Sequence, residues 1–123
     1  MRLVVVLCMS LFCIISCDTI VGKHGNASYY YKVTGTATSV TISANESAID
    51  GLVTSLPWQS EEWTKHVDDE TSILCAITAV NTTTNNATVT VEIYVDGDLK
   101  ATDTATGPNC MAYADYTVDD ENL

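Results

Sequence analysis

The chain has 123 residues, enough for one domain and too few for two ordinary ones. Sixteen acidic against five basic residues give a formal net charge of −11, and no basic stripe is present. That balance excludes nucleic acid as a partner and disfavours lying flat on anionic lipid, so membrane attachment has to come from something other than protein charge.

Arg2 is the single positive charge before an apolar run from Leu3 to Ile15, interrupted only by Ser10. The run is too short for a membrane-spanning helix, which needs about 20 residues, and matches the core of a secretory signal. It ends in Ile14-Ile15-Ser16-Cys17, which resembles a lipoprotein signal. A small residue precedes the cut, and a cysteine thiol follows to accept the acyl chains. Residues 1–16 are therefore read as the signal peptide and Cys17 as the lipidated residue. A plain secretory signal and an uncleaved N-terminal anchor are the competing readings. Residues 17–27 carry two glycines, charges and His24 without periodicity, and read as a tether.

From Ser28 to Val118 the pattern is all-β, rich in valine, isoleucine, threonine and tyrosine. Strands are expected near residues 28–35, 38–44, 60–67, 72–80, 87–96, 99–105 and 110–118. Residues 45–57 are expected to be irregular or to hold one short extra strand. The clearest strand places Val89, Val91, Ile93 and Val95 on one face and Thr88, Thr90, Glu92 and Tyr94 on the other. It runs into Asp96-Gly97, a two-residue hairpin signal whose turn positions both need positive φ. Leu99 and Ala101 are expected to continue inward on the return strand, with Lys100 and Thr102 outward. The fold class expected is an immunoglobulin-like β-sandwich of about seven antiparallel strands, followed by a frayed acidic tail at residues 119–123.

Five cysteines are present, of which Cys8 and Cys13 would leave with the signal. With Cys17 lipidated, Cys75 and Cys110 are the remaining thiols, both on apparently inward strand faces. An oxidising compartment would pair them, closing a loop worth roughly 3.8 kcal/mol in the chain-entropy model. Two unpaired buried thiols are the alternative.

A set of segments in one order also resembles a known family. Tyr31-Lys32-Val33-Thr34-Gly35-Thr36-Ala37 is followed by Val40-Thr41-Ile42, by Leu56-Pro57-Trp58, and by Val91-Glu92-Ile93-Tyr94-Val95-Asp96-Gly97. This order is similar to that of the MmpS family of small envelope proteins with a compact β-sandwich. The resemblance implies an accessory role beside large transporters of the resistance-nodulation-division class. A lipoprotein-like signal stands here where that family carries a transmembrane helix, which removes the segment that would meet a transporter inside the membrane.

Chemistry-bearing patterns are sparse. His24 lies in the tether and His66 beside the acidic run Asp68-Asp69-Glu70, where a surface histidine is the simpler reading. No nucleophile elbow, His-Glu-x-x-His or phosphate loop occurs. Cys75, Cys110 and His66 make only three zinc donors, and Asp68, Asp69 and Glu70, or Asp96 and Asp98, lack the alternation of a calcium loop. No cofactor, metal or catalytic residue is expected. The aromatics offer the remaining possibility, with Tyr94, Tyr30 and Trp63 as candidate ligand contacts and Trp58 as a plug between the sheets. Asn26, Asn45, Asn81 and Asn86 each begin an Asn-x-Ser/Thr triplet, read as coincidence in so threonine-rich a chain.

The expected function is a non-enzymatic, lipid-anchored accessory or binding module of the cell envelope, periplasmic or surface-exposed, with an envelope protein such as a transporter as its partner. The alternative is a surface binder of ligands or glycans through exposed aromatics. A small hydrolase or metal protein is a third and weaker reading.

Overall fold

The computed structural model describes residues 25–123, so the signal peptide, Cys17 and His24 lie outside the described residues. Nine strands follow in order: β1 (Gly25–Gly35), β2 (Val40–Ala44), β3 (Leu52–Thr54), β4 (Trp58–Gln59), β5 (Trp63–Val67), β6 (Ile73–Asn81), β7 (Thr88–Val95), β8 (Asp98–Thr106) and β9 (Met111–Val118). They form two antiparallel sheets. The first runs β4-β1-β7-β8, with β5 also paired to β1, and the second runs β3-β2-β6-β9. The two-sheet sandwich expected from sequence is what forms. The expected strands supply the seven longer ones, and β3 and β4 add three and two residues.

Alternation decides which side of each strand is buried. Ala27, Tyr29, Tyr31 and Val33 of β1, Ile73, Cys75, Ile77 and Ala79 of β6, and Val89, Val91, Ile93 and Val95 of β7 all point into one apolar core. Each buried valine or isoleucine contributes about 1.5–3 kcal/mol relative to exposure. Gly35 ends β1 with φ of 136°, where a Cβ would stand 2.2 Å from the Thr88 carbonyl oxygen. That carbonyl accepts from both Thr36 N and Ala37 N, and so steers the chain toward the second sheet.

Three expectations change. The first strand begins at Gly25 rather than Ser28, because Gly25, Asn26 and Ala27 pair with Val67, His66 and Lys65. The β7–β8 turn has the positive φ at Asp96 and Gly97 that its sequence requires, but a bulge at Ile93/Tyr94 pairs Tyr94 with Leu99. Leu99 therefore lies on the outer face rather than inward, and is 47 % exposed. The C-terminal residues close a turn in which Asp119 N donates to Asn122 Oδ1 and Asn122 Nδ2 donates to Thr117 O.

Candidate functional site

The two thiols are not bonded to each other. Both side chains do face inward, but register separates them. Cys75 opposes Tyr116 near the far end of β9, whereas Cys110 precedes β9 and its carbonyl accepts from Asn81 N at the other end of β6. Six residues of extended strand separate positions 75 and 81, about 20 Å. A disulfide needs Cα atoms within about 7 Å, so the expected staple does not form.

Cys75 instead lies fully buried in the apolar core, beneath a part-buried polar cluster. The Tyr29 hydroxyl donates to Glu46, which lies in the turn after β2, and Lys65 Nζ reaches the same carboxylate at 3.1 Å. Lys65 also stands 5.6 Å from the Tyr29 ring centroid. The group thus joins β1 and β5 of one sheet to the second sheet. Burial, reinforced by Glu46, holds the Tyr29 phenol protonated far above its ordinary range. Burial does the same to Tyr31, whose hydroxyl is enclosed without a hydrogen-bond partner. Burial also pushes the Cys75 thiol up to about 11. A thiol so far from its thiolate is a poor nucleophile.

The three candidate aromatic contacts separate onto two faces. Tyr30 and Tyr94 lie on the outer face of the first sheet with ring centroids 4.9 Å apart and planes 4° apart. Lys32 Nζ stands 5.2 Å from the Tyr94 centroid, and the Tyr94 hydroxyl contacts Glu92 at 3.3 Å. Each ring therefore covers one face of the other, and less flat surface is left for a sugar. Trp63 points to the inner side, pairs across from Tyr29 and stacks on its ring at 5.6 Å.

Trp63 shares a groove with Trp58 rather than with the outer tyrosines. The two indoles, with Ile49 from the segment joining β2 to β3 and Leu52 at the start of β3, line a groove of about 340 Å³ at the open edge of the sandwich. Trp58 packs partly against the core, as a plug would, and also forms this wall. Sequence reasoning missed the groove because its walls come from separate strands. The one available signal was Leu52-Val53 after Asp50-Gly51, an apolar pair following a turn.

The outer face of the second sheet differs in character from the first. Val53, Leu74, Met111 and Tyr113 are 66, 51, 60 and 49 % exposed. Between them lie small side chains, Ser43, Ala76 and Thr78, lining a shallow hollow of about 260 Å³. Asp115 is the one charged side chain at the paired positions of β2, β3, β6 and β9 on this face, and it accepts from the Tyr113 hydroxyl at 2.8 Å. Acidity gathers elsewhere, where Asp68, Asp69 and Glu70 meet Asp119, Asp120 and Glu121 around a polar hollow. Backbone donation from Glu70 keeps the Asp68 carboxyl below its usual range. His66 is exposed on β5 with Nε2 at 3.6 Å from Asp68. Among the described residues no group of three or more His, Cys, Asp or Glu is placed to hold a metal ion.

No protein-family model matches the chain, and no curated protein matches it in sequence.

Proposed function

We propose that this protein is a lipid-anchored, non-catalytic binding module of the cell envelope, held by acylated Cys17 and docking an envelope protein through the outer face of its second sheet. The observation that carries this reading is the contrast on that face. A chain of net charge −11 leaves Val53, Leu74, Met111 and Tyr113 exposed on one sheet face, with Leu74 lining its hollow and Asp115 as the charged residue among the paired positions. An exposed apolar surface of this kind marks an interaction site. The protein's acidity opposes anionic lipid and nucleic acid as the occupant, which leaves a protein with an uncharged contact surface. An accessory role of the MmpS type, beside a transporter, is consistent with such docking. The glycan-platform reading is weakened because Tyr30 and Tyr94 stack on each other and Trp63 lies on the opposite side of the sheet.

The test is site-specific photocrosslinking in the full lipidated chain within its own envelope. A photoreactive residue at position 113 should give one discrete protein adduct, which Leu74→Lys abolishes. The same residue at position 104, on the outer face of the first sheet, should give none. Equal adducts from both positions, or none from either, would remove the docking face. In parallel, Cys17→Ser should move the protein from the membrane to the soluble fraction. A variant that stays membrane-bound would end the acyl-anchor reading while leaving the docking face to be judged by its own adduct.

A further inference from the structure

The groove at the open edge of the sandwich is a separate feature from the docking face, and its chemistry is specific. Its two indoles, Trp58 and Trp63, are the chain's only tryptophans. Trp63 is braced from behind by Tyr29, and Trp58 is held by the pairing of β4 with Val33. Ile49 and Leu52 supply an aliphatic wall, and Ser60 sits in the lining with its hydroxyl already donating to the Glu61 carbonyl. Glu61 is the one charged residue of the lining, is exposed, and has no ion-pair partner among the described residues. Lys65 is the basic residue nearest in sequence, and it is engaged by Glu46.

Apolar walls on both sides and a free carboxylate at the rim select against anions. Besides Glu61, the polar side chains of the lining are Ser60, whose hydroxyl is already engaged, and Gln59, a sparse set for a sugar's several hydroxyls. An organic cation satisfies both features, because indole faces attract positive charge more strongly than other aromatic side chains do and the carboxylate completes the neutralisation. A volume of about 340 Å³ lies at the small end for ligand sites and suits a guest of one ring or a short alkyl chain. We propose that the Trp58–Trp63 groove binds a small lipophilic ammonium ion, quaternary or aromatic-substituted, with Glu61 as its counter-charge.

Because both tryptophans line the groove, intrinsic fluorescence reports on it directly. The full chain is titrated with benzyltrimethylammonium, with its neutral carbon analogue neopentylbenzene, with benzenesulfonate and with cellobiose. The cation should give saturable quenching, confirmed by calorimetry, and its affinity should fall about tenfold in Glu61→Gln. Trp58→Phe should weaken it to a similar degree while Trp63 still reports. Glu61 is exposed and its substitution leaves the core intact, so the reading does not hinge on folding. The proposal is overturned if the cation gives no saturable signal, if cellobiose, neopentylbenzene or benzenesulfonate binds as well as the cation, or if Glu61→Gln leaves its affinity unchanged.

Discussion

The Tyr29 hydroxyl and the Glu46 carboxylate meet across the sandwich, one from β1 of the first sheet and one from the turn that follows β2 of the second. Tyr31 lies two residues along the same inner face, yet its hydroxyl is buried without a partner. One strand therefore carries two enclosed phenols in opposite states of satisfaction. A hydrogen bond to a charged group contributes about 1.5–3 kcal/mol, whereas a buried unpaired hydroxyl costs free energy that its removal recovers. Tyr29→Phe should destabilise by that amount, lowering Tm by several degrees. Tyr31→Phe should be neutral or stabilising by up to about 1 kcal/mol. Thermal unfolding of both variants decides the matter, and Tyr31→Phe emerging as the more damaging change would contradict the assignment.

The same cluster gives the protein an alkaline limit. Tyr29, Tyr31 and Cys75 all have folded pKa values raised above their unfolded ones, chiefly by burial. Stabilisation from keeping them neutral is complete below their unfolded values, about pH 9 for the thiol and 10 for the phenols. It is lost as pH rises toward the folded values, about 11 for Cys75 and higher for the tyrosines. The denaturation midpoint should fall steadily above pH 9. In a spectrophotometric titration, two of the six tyrosines should ionise only together with loss of the β-sheet signal. Six phenols ionising reversibly in the intact fold would refute this.

The thiol arrangement yields a third expectation. Cys110 is partly exposed and contacts the Ala87 carbonyl at 3.8 Å, while Cys75 is fully buried. Maleimide should label Cys110 in the native chain and reach Cys75 only in denaturant, with the sites mapped by peptide mass. Reducing agent should leave Tm unchanged. A linked peptide containing both residues, or a Tm that drops on reduction, would restore the cross-link.

The contrast between faces and register explains what was legible in the sequence. Period-two alternation is local, so the inward sets of β6, β7 and β9 and the Asp96-Gly97 turn could be read from single segments. How far one strand slides along another depends on contacts between distant residues. Cys75 and Cys110 thus occupy the inward faces that alternation indicates, yet the strand register puts them at opposite ends of one strand pair. The bulge at Ile93/Tyr94 moved Leu99 outward for the same kind of reason, since one inserted residue inverts every side chain beyond it. Tyr94 was placed on the outer face from its own strand, while its stacking on Tyr30 required the β1–β7 pairing. The groove between Trp58 and Trp63 depends on three segments meeting at a sheet edge, which no local pattern encodes.

Asn81 shows how one buried amide can hold a whole end of the sandwich. It has no exposed surface, and its Nδ2 donates to the carbonyls of Asn85 and Gly107 at 3.1 and 3.0 Å. Its Oδ1 accepts from Thr83 N and Thr83 Oγ1 at 3.0 and 2.7 Å. The β6–β7 loop is thereby tied to the β8–β9 loop. All four bonds of the side chain are used, so this Asn-x-Thr triplet offers no free amide for modification in the folded state. Asn81→Ala should cost about 2–4 kcal/mol, from the lost bonds and from the carbonyls and Thr83 amide left unpartnered. Asn81→Asp should cost more at neutral pH, because a carboxylate would then face two carbonyl oxygens. Burial raises the folded pKa of such an acid, so its protonated form is the one the fold accepts. Asn81→Asp should therefore regain part of its stability, relative to the parent protein, as pH falls toward 5, whereas Asn81→Ala should show no such recovery. Urea denaturation of the two variants at pH 7.5 and pH 5 measures the difference, and parallel behaviour of Ala and Asp would show that the amide's donors do not carry the brace.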